Sequence, residues 1–197
     1  LARDRGVVSV AALAQLAAVH DRSGDLGCRN ALVEQLLAHE TLPVPVARLV
    51  VSFLLEDGRA LAARQLLERA LLAEPDNAML HFELGRACLL LDDNDRAAAA
   101  LRRALQIGLS PRIGAQARRF VRLCVVPGLW AGTQAVEEAI AQGKLAEALA
   151  AIHAMVRRTG PVAEAWFLLG VVRHKNGQLR RSERAFRHAI ELDEQCS

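Results

Sequence analysis

Tyrosine is absent from the 197-residue chain, and aromatic side chains make up only 4% of it. β-Sandwiches and barrels draw heavily on aromatic and β-branched residues, so this scarcity counts against them. Proline (6) and glycine (13) are also few, while Ala, Leu and Arg abound, a balance that favours helix along the whole length. Lysine occurs only at Lys144 and Lys175, so nearly all the basic charge is arginine. With 25 basic against 22 acidic residues the net charge is +3, too near balance to imply a nucleic-acid partner by itself. The four cysteines, Cys28, Cys88, Cys124 and Cys196, are far apart and form no C-x-x-C pair, which is too sparse for a disulfide-built domain. Cys88 and Cys124 lie among apolar residues and are expected in the core. No apolar run approaches the roughly 18 residues of a membrane span, and no signal peptide is visible. The cytoplasm is the expected compartment. The chain starts at Leu1 and not at Met, so the periplasm is the alternative if a leader has been removed.

Catalytic signatures are missing as well. No G-x-x-x-x-G-K-[ST], G-x-G-x-x-G, H-E-x-x-H or G-x-S-x-G occurs. His39-Glu40 opens like a zinc motif, but Pro43 stands where the second histidine would fall. His20-Asp21-Arg22-Ser23 contains the residue types of a catalytic triad, yet sequence neighbours at a helix end cannot adopt its geometry, and helix termination is the expected role. The six histidines are scattered, with no pair at i,i+4. No catalytic residue, cofactor or metal ligand is expected from these patterns, and the chain reads as a non-enzyme.

What the sequence does contain is a period of 34. Leu84-Gly85 is followed by Ala97, Leu101 and Ala104-Leu105, and Leu169-Gly170 by Ser182, Phe186 and Ala189-Ile190 at the same offsets. The register gives blocks 10–43, 44–77, 78–111, 129–162 and 163–196. Position 15 of each block reads Gly24, Gly58, Asp92, Gly143 and Gly177, and position 28 is always apolar. Each block is expected to be two helices joined by a tight turn. The turn residue must tolerate positive φ, for which Asp92 is a permitted substitute. The helices must approach closely, hence Gly85 and Gly170 on the first helix and Ala63, Ala97 and Ala148 on the second. Apolar residues at helical spacing, such as Leu80, Leu84, Ala87, Cys88 and Leu91, fill the gap between them. Residues 112–128 are half a period and read as one extra helix over about 113–125, ended by Pro127-Gly128 and expected to interrupt the regular stacking. The fold class predicted is therefore all-α, an α-solenoid of stacked antiparallel helix pairs with eleven helices. It is organised as repeats within 1–111, a linker helix at 112–128, and repeats within 129–197. Arg180, Arg181, Arg184, Arg187 and Glu191 are expected to give the last helix a polar outer face.

This pattern resembles the tetratricopeptide repeat (TPR) family. The likeness is clearest in 163–196, at Trp166, Leu169, Gly170, Gly177, Leu179, Phe186, Ala189 and Ile190. It is good in 44–77 and 78–111, and weaker in 10–43 and 129–162, where Ala17 and Val136 replace the glycine of position 8. The resemblance implies a non-catalytic scaffold or adaptor that binds a peptide or helix of a partner protein on the concave face. Carried over by position, the groove residues are Arg48, Ser52, Met79, Phe82, Arg86, Leu89, Trp130, Thr133, Glu137, Glu164, Phe167, Val171 and His174, with Ile140 beside them. Phe82, Trp130 and Phe167 either anchor a partner from that face or are covered by a neighbouring helix or by helix 113–125. No block carries the Lys and Asn of the clamp with which some family members hold a C-terminal carboxylate.

Arg96 to Val136 holds seven arginines and no acidic residue. Arg102, Arg103, Arg112, Arg118, Arg119 and Arg122 are thus a candidate patch for an anionic partner. The competing expectation is a solvated face spread over several helices, and the shortage of aromatic stacking partners counts against nucleic acid. Two further expectations remain. The repeats are a module of a larger enzyme, such as a glycosyltransferase, sulfotransferase or hydroxylase, that recruits substrate or mediates oligomerisation; and uncapped repeat ends favour a homo-oligomer.

Overall fold

The computed structural model describes the backbone of residues 2–195 and the side chains of residues 10–193. Leu1, Cys196 and Ser197, which end the first and last expected segments, lie outside the described residues. Among those described there are eleven helices and no strand: α1 (Ala2–Ser23), α2 (Leu26–Leu37), α3 (Val44–Glu56), α4 (Ala60–Ala73), α5 (Ala78–Leu90), α6 (Asn94–Ile107), α7 (Pro111–Val125), α8 (Leu129–Ala141), α9 (Leu145–Thr159), α10 (Ala163–Lys175) and α11 (Leu179–Gln195). Helices α3, α5, α8 and α10 begin on the first residue of their 34-residue blocks, and each is 13 residues long. The first block departs from this, because α1 starts at Ala2 and runs for 22 residues.

One turn recurs five times. Position 15 has positive φ in every block: 78° at Gly24, 72° at Gly58, 56° at Asp92, 73° at Gly143 and 71° at Gly177. The next residue's N–H reaches back to a carbonyl of the helix just ended, as from Arg59 to Leu54 (2.7 Å) and from Asp93 to Cys88 (3.0 Å). These are paired 6→1 and 5→2 bonds of the Schellman kind, which satisfy the orphan carbonyls of the first helix. The chain then enters the second helix, and Asp93 caps α6 through its side chain on the Arg96 N–H. Between blocks Asn77 does the same for α5, accepting from Met79 and Leu80.

The chain divides into two compact units, with the boundary between Val121 and Arg122, inside α7. In the first unit the pairs α1/α2, α3/α4 and α5/α6 pack together, and α4 lies against α5. The core of the first pairs runs from Val10, Ala14 and Ala17 through Leu36, Val50 and Leu54 to Leu67, Leu80 and Ala87, all buried. In the second unit α8 pairs with α9 and α10 with α11, and α10 touches both α8 and α9. The close crossings explain the small residues. A Cβ on Gly85 would stand 2.5 Å from Leu101 Cγ, and one on Gly170 would stand 2.5 Å from the Phe186 ring. In 129–162, where position 8 is Val136, the tight spot moves one turn earlier: Gly132 faces Met155, whose Cγ a Cβ would meet at 2.9 Å. Ser182 takes the place of the alanine at position 20 in the last block, and its buried hydroxyl donates to the Gly170 carbonyl at 2.8 Å.

The first block breaks the small-residue rule outright. Its position 20 is Arg29, which is 2% exposed. The guanidinium donates to Asp21 at 2.8 Å, to Asn30, and to Asp57 of the next block, and it lies 5.4 Å from the centre of the Phe53 ring. Burial by itself would lower the Arg29 pKa; the bonds to Asp21 and Asp57 more than offset this and hold it above its ordinary value.

Candidate functional site

The residues expected to line the groove sit on the first helix of each pair, and burial sorts them. In the first unit Arg48 is exposed and Ser52 and Met79 are half-buried. The Ser52 hydroxyl is turned onto its own helix, donating to the Leu49 carbonyl at 2.7 Å. Leu89 is buried at 1% exposure and offers no surface to a partner. Phe82 is 4% exposed, with its ring 6.0 Å from that of Phe120 on α7. Phe82 is thus buried, with a ring of α7 among its neighbours. Beside this ring pair is an open cleft of about 290 Å³ lined by Phe82, Arg86, Gln116, Arg119 and Phe120. Arg86 is held there by Glu83 of its own helix at 2.7 Å.

In the second unit the same positions fall on α8 and α10, which touch. Thr133 is buried, and its hydroxyl has no hydrogen-bond partner. Trp130, Glu164 and Val171 are half-buried, while Glu137 and His174 are exposed. Phe167 differs from Phe82: it is 42% exposed, although its ring lies 5.8 Å from that of Phe186. Of the aromatics singled out from sequence, it presents the most open face.

A cleft in this unit leaves no signal in the sequence. Ile152, His153, Val156 and Arg157 of α9, with Pro161 and with Ala165, Trp166, Leu169 and Arg173 of α10, line a cleft of about 440 Å³. The Trp166 indole stands edge-on to His188 with centroids 4.5 Å apart. Trp166 reads from sequence only as a repeat signature. Of the basic residues beside it only Arg173 shares its helix, while His153 and Arg157 belong to α9 and His188 to α11, so nothing in the local sequence groups them.

The arginine-rich segment is partly neutralised from outside itself. Arg103 pairs with Asp76 at 2.6 Å, and Arg122, which belongs to the second unit, pairs with Asp193 at 2.5 Å. Arg102, Arg112 and Arg118 are exposed and Arg119 is half-buried. Arg102 and Arg103 lie on α6, whereas Arg112, Arg118 and Arg119 lie on α7. Among the cysteines, Cys88 is buried, Cys124 is half-buried and Cys28 is exposed. Burial raises the pKa of the Cys88 thiol above its ordinary value and keeps it protonated. No helix is long and apolar enough to cross a membrane among the described residues.

The tetratricopeptide repeat profile matches residues 54–111 and 133–195, more than half of the chain. The chain is a tetratricopeptide repeat protein. Several solved structures of such repeats share its fold. A crystal structure of MamA protein is 16% identical, with a TM-score of 0.54 over 94% of this chain and 92% of that one. A tetratricopeptide repeat protein from Parabacteroides merdae is 16% identical, with a TM-score of 0.53 over 93% and 78%. The TPR domain of P58(IPK) is 15% identical, with a TM-score of 0.52 over 93% and 51%. At these identities the likeness is one of fold alone. No curated protein sequence matches the chain. Tetratricopeptide repeats are protein-interaction modules, and the paired helices of this TPR chain carry that architecture in both of its units.

Proposed function

We propose that the chain is a non-catalytic protein-interaction scaffold that holds a peptide or helix of a partner protein on the first-helix face, with the α8–α10 face of the second unit as the principal contact. The observation that carries this is the exposed Phe167 ring of α10, one of the first-helix positions of this unit together with the half-buried Trp130 and Val171 and the polar Glu137, Glu164 and His174. A large ring with an open face, on an element that also presents polar side chains, has the composition of an interface anchor. Burying such a ring in a partner's contact typically contributes about 2 kcal/mol or more. Arg48 and Met79 hold the corresponding first-helix positions of the first unit. Phe82 and Leu89 support that face from within and do not touch the partner.

The test is recovery of partners from native extract by the tagged chain and by a Phe167→Ala, Val171→Ala variant. A helical far-ultraviolet circular dichroism spectrum equal to that of the parent, together with loss of a specific partner, supports the reading. A variant that stays folded and keeps every partner overturns it.

A further inference from the structure

The clearest cluster of metal-ligating side chains lies outside the groove, where α1 ends and α2 begins. We propose that His20, Asp25 and Cys28 form a three-donor site for one borderline-soft divalent cation of the zinc class. An imidazole nitrogen, a carboxylate oxygen and a thiol sulfur there lie within 4.8 Å of one another. His20 Nδ1 is 3.3 Å from Asp25 Oδ2, the spacing of neighbouring donors that each sit at about 2.0–2.3 Å from a common tetrahedral zinc. Thiolate and imidazole select a softer ion over magnesium and calcium, which take all-oxygen shells.

The donors are held and aimed. The Asp25 N–H bonds the His20 carbonyl at 2.9 Å across the turn. Asp25 Oδ1 accepts the Cys28 N–H at 3.1 Å, so Oδ2 is the oxygen left facing His20. Such a bond to the far oxygen fixes a ligating carboxylate in place. The residues next to the donors are also tied together, Arg29 donating to Asp21 at 2.8 Å, which clamps the two helix ends. The carboxylate of Asp25 is held below its ordinary range first by the Cys28 backbone N–H, while the Asp25 carboxylate beside it raises the Cys28 thiol. Binding forms a metal–sulfur bond and releases the Cys28 thiol proton to solvent. The neutral His20 ring contributes a lone pair, and the two negative ligands balance the ion's charge. Water fills the fourth position, because Asp25 and Cys28 face solvent.

The experiment is titration of the reduced full chain with Co²⁺, following the thiolate-to-cobalt charge-transfer band and the visible d–d bands. Uptake of one equivalent with a charge-transfer band is expected, unchanged by a large excess of Mg²⁺. Cys28→Ser should abolish that band, and His20→Gln should weaken binding at least tenfold. Asp25→Asn, which keeps the oxygen that caps α2, should also weaken it at least tenfold while helix content stays the same. Absence of the band in the parent, or its survival in Cys28→Ser, overturns the proposal. So does binding in Asp25→Asn and His20→Gln equal to that of the parent. None of these outcomes bears on the α8–α10 face.

Discussion

Arg29 stands where the other blocks have alanine or serine, and the structure makes sense of it through its partners. A buried guanidinium leaves uncompensated charge behind when one side of its network is removed, so breakage is costly. We expect Arg29→Ala to lower unfolding free energy by about 3 kcal/mol, the low end of the usual range because both carboxylates keep some contact with water. Adding Asp21→Asn and Asp57→Asn should recover part of that loss, since the stranded negative charges go. Urea unfolding of the three chains decides it; no recovery would mean the lost packing on Phe53 is the larger effect. Asp25 gives a pH test of its own. Its carboxyl titrates lower in the folded chain than its ordinary 3.8, chiefly because it accepts the Cys28 N–H. A depressed folded pKa adds stability that is fully present above the unfolded value and is lost as pH falls through the folded one. The urea midpoint of the parent should therefore fall more steeply below pH 3.8 than that of Asp25→Asn, and equal slopes would contradict the assignment. Neither feature was legible in the sequence. His20-Asp21-Arg22-Ser23 reads correctly as a helix end, since α1 stops at Ser23. The cluster with Asp25 and Cys28 exists only because the turn folds the next helix back beside it.

At the scale of the helix pair the sequence is far more explicit, because backbone geometry and close approach dictate residue type directly. A turn that needs positive φ admits Gly and occasionally Asp, and that requirement is printed at position 15 of every block. Asp92 holds a φ of 56° with a side chain present. Asp92→Gly should therefore raise stability by up to about 1 kcal/mol by removing the left-handed cost, less the entropy that glycine loses on folding. Gly170→Ala should act the other way, costing about 1–3 kcal/mol, because the new methyl meets the Phe186 ring and that ring is itself packed against Phe167. Thermal unfolding of both variants separates the cases: a stable Gly170→Ala would mean that the crossing can widen freely. Whether an aromatic on the first helix ends up open or covered is not encoded at this scale. Phe82 and Phe167 occupy the same position of their repeats, yet Phe82 is 4% exposed and pairs with Phe120 of α7, whereas Phe167 is 42% exposed and pairs with Phe186 of α11.

At the scale of the whole chain, repeats bury their apolar faces against immediate neighbours, so stability is a sum of short-range contributions and a local lesion stays local. The boundary between the two compact units, between Val121 and Arg122, falls within α7. Arg29 joins α1, α2 and α3 of the first unit, and Gly170 serves the α10–α11 crossing of the second. Amide hydrogen exchange should report this division. Arg29→Ala should speed exchange chiefly in α1–α4 and leave α8–α11 near parental rates, while Gly170→Ala should do the reverse. Because each variant is expected to act in a different unit, the opposite patterns of acceleration cannot arise from one variant simply being weaker than the other. Uniform acceleration along all eleven helices in either variant would show that the chain opens as one cooperative body, and the nearest-neighbour account of its stability would then fail.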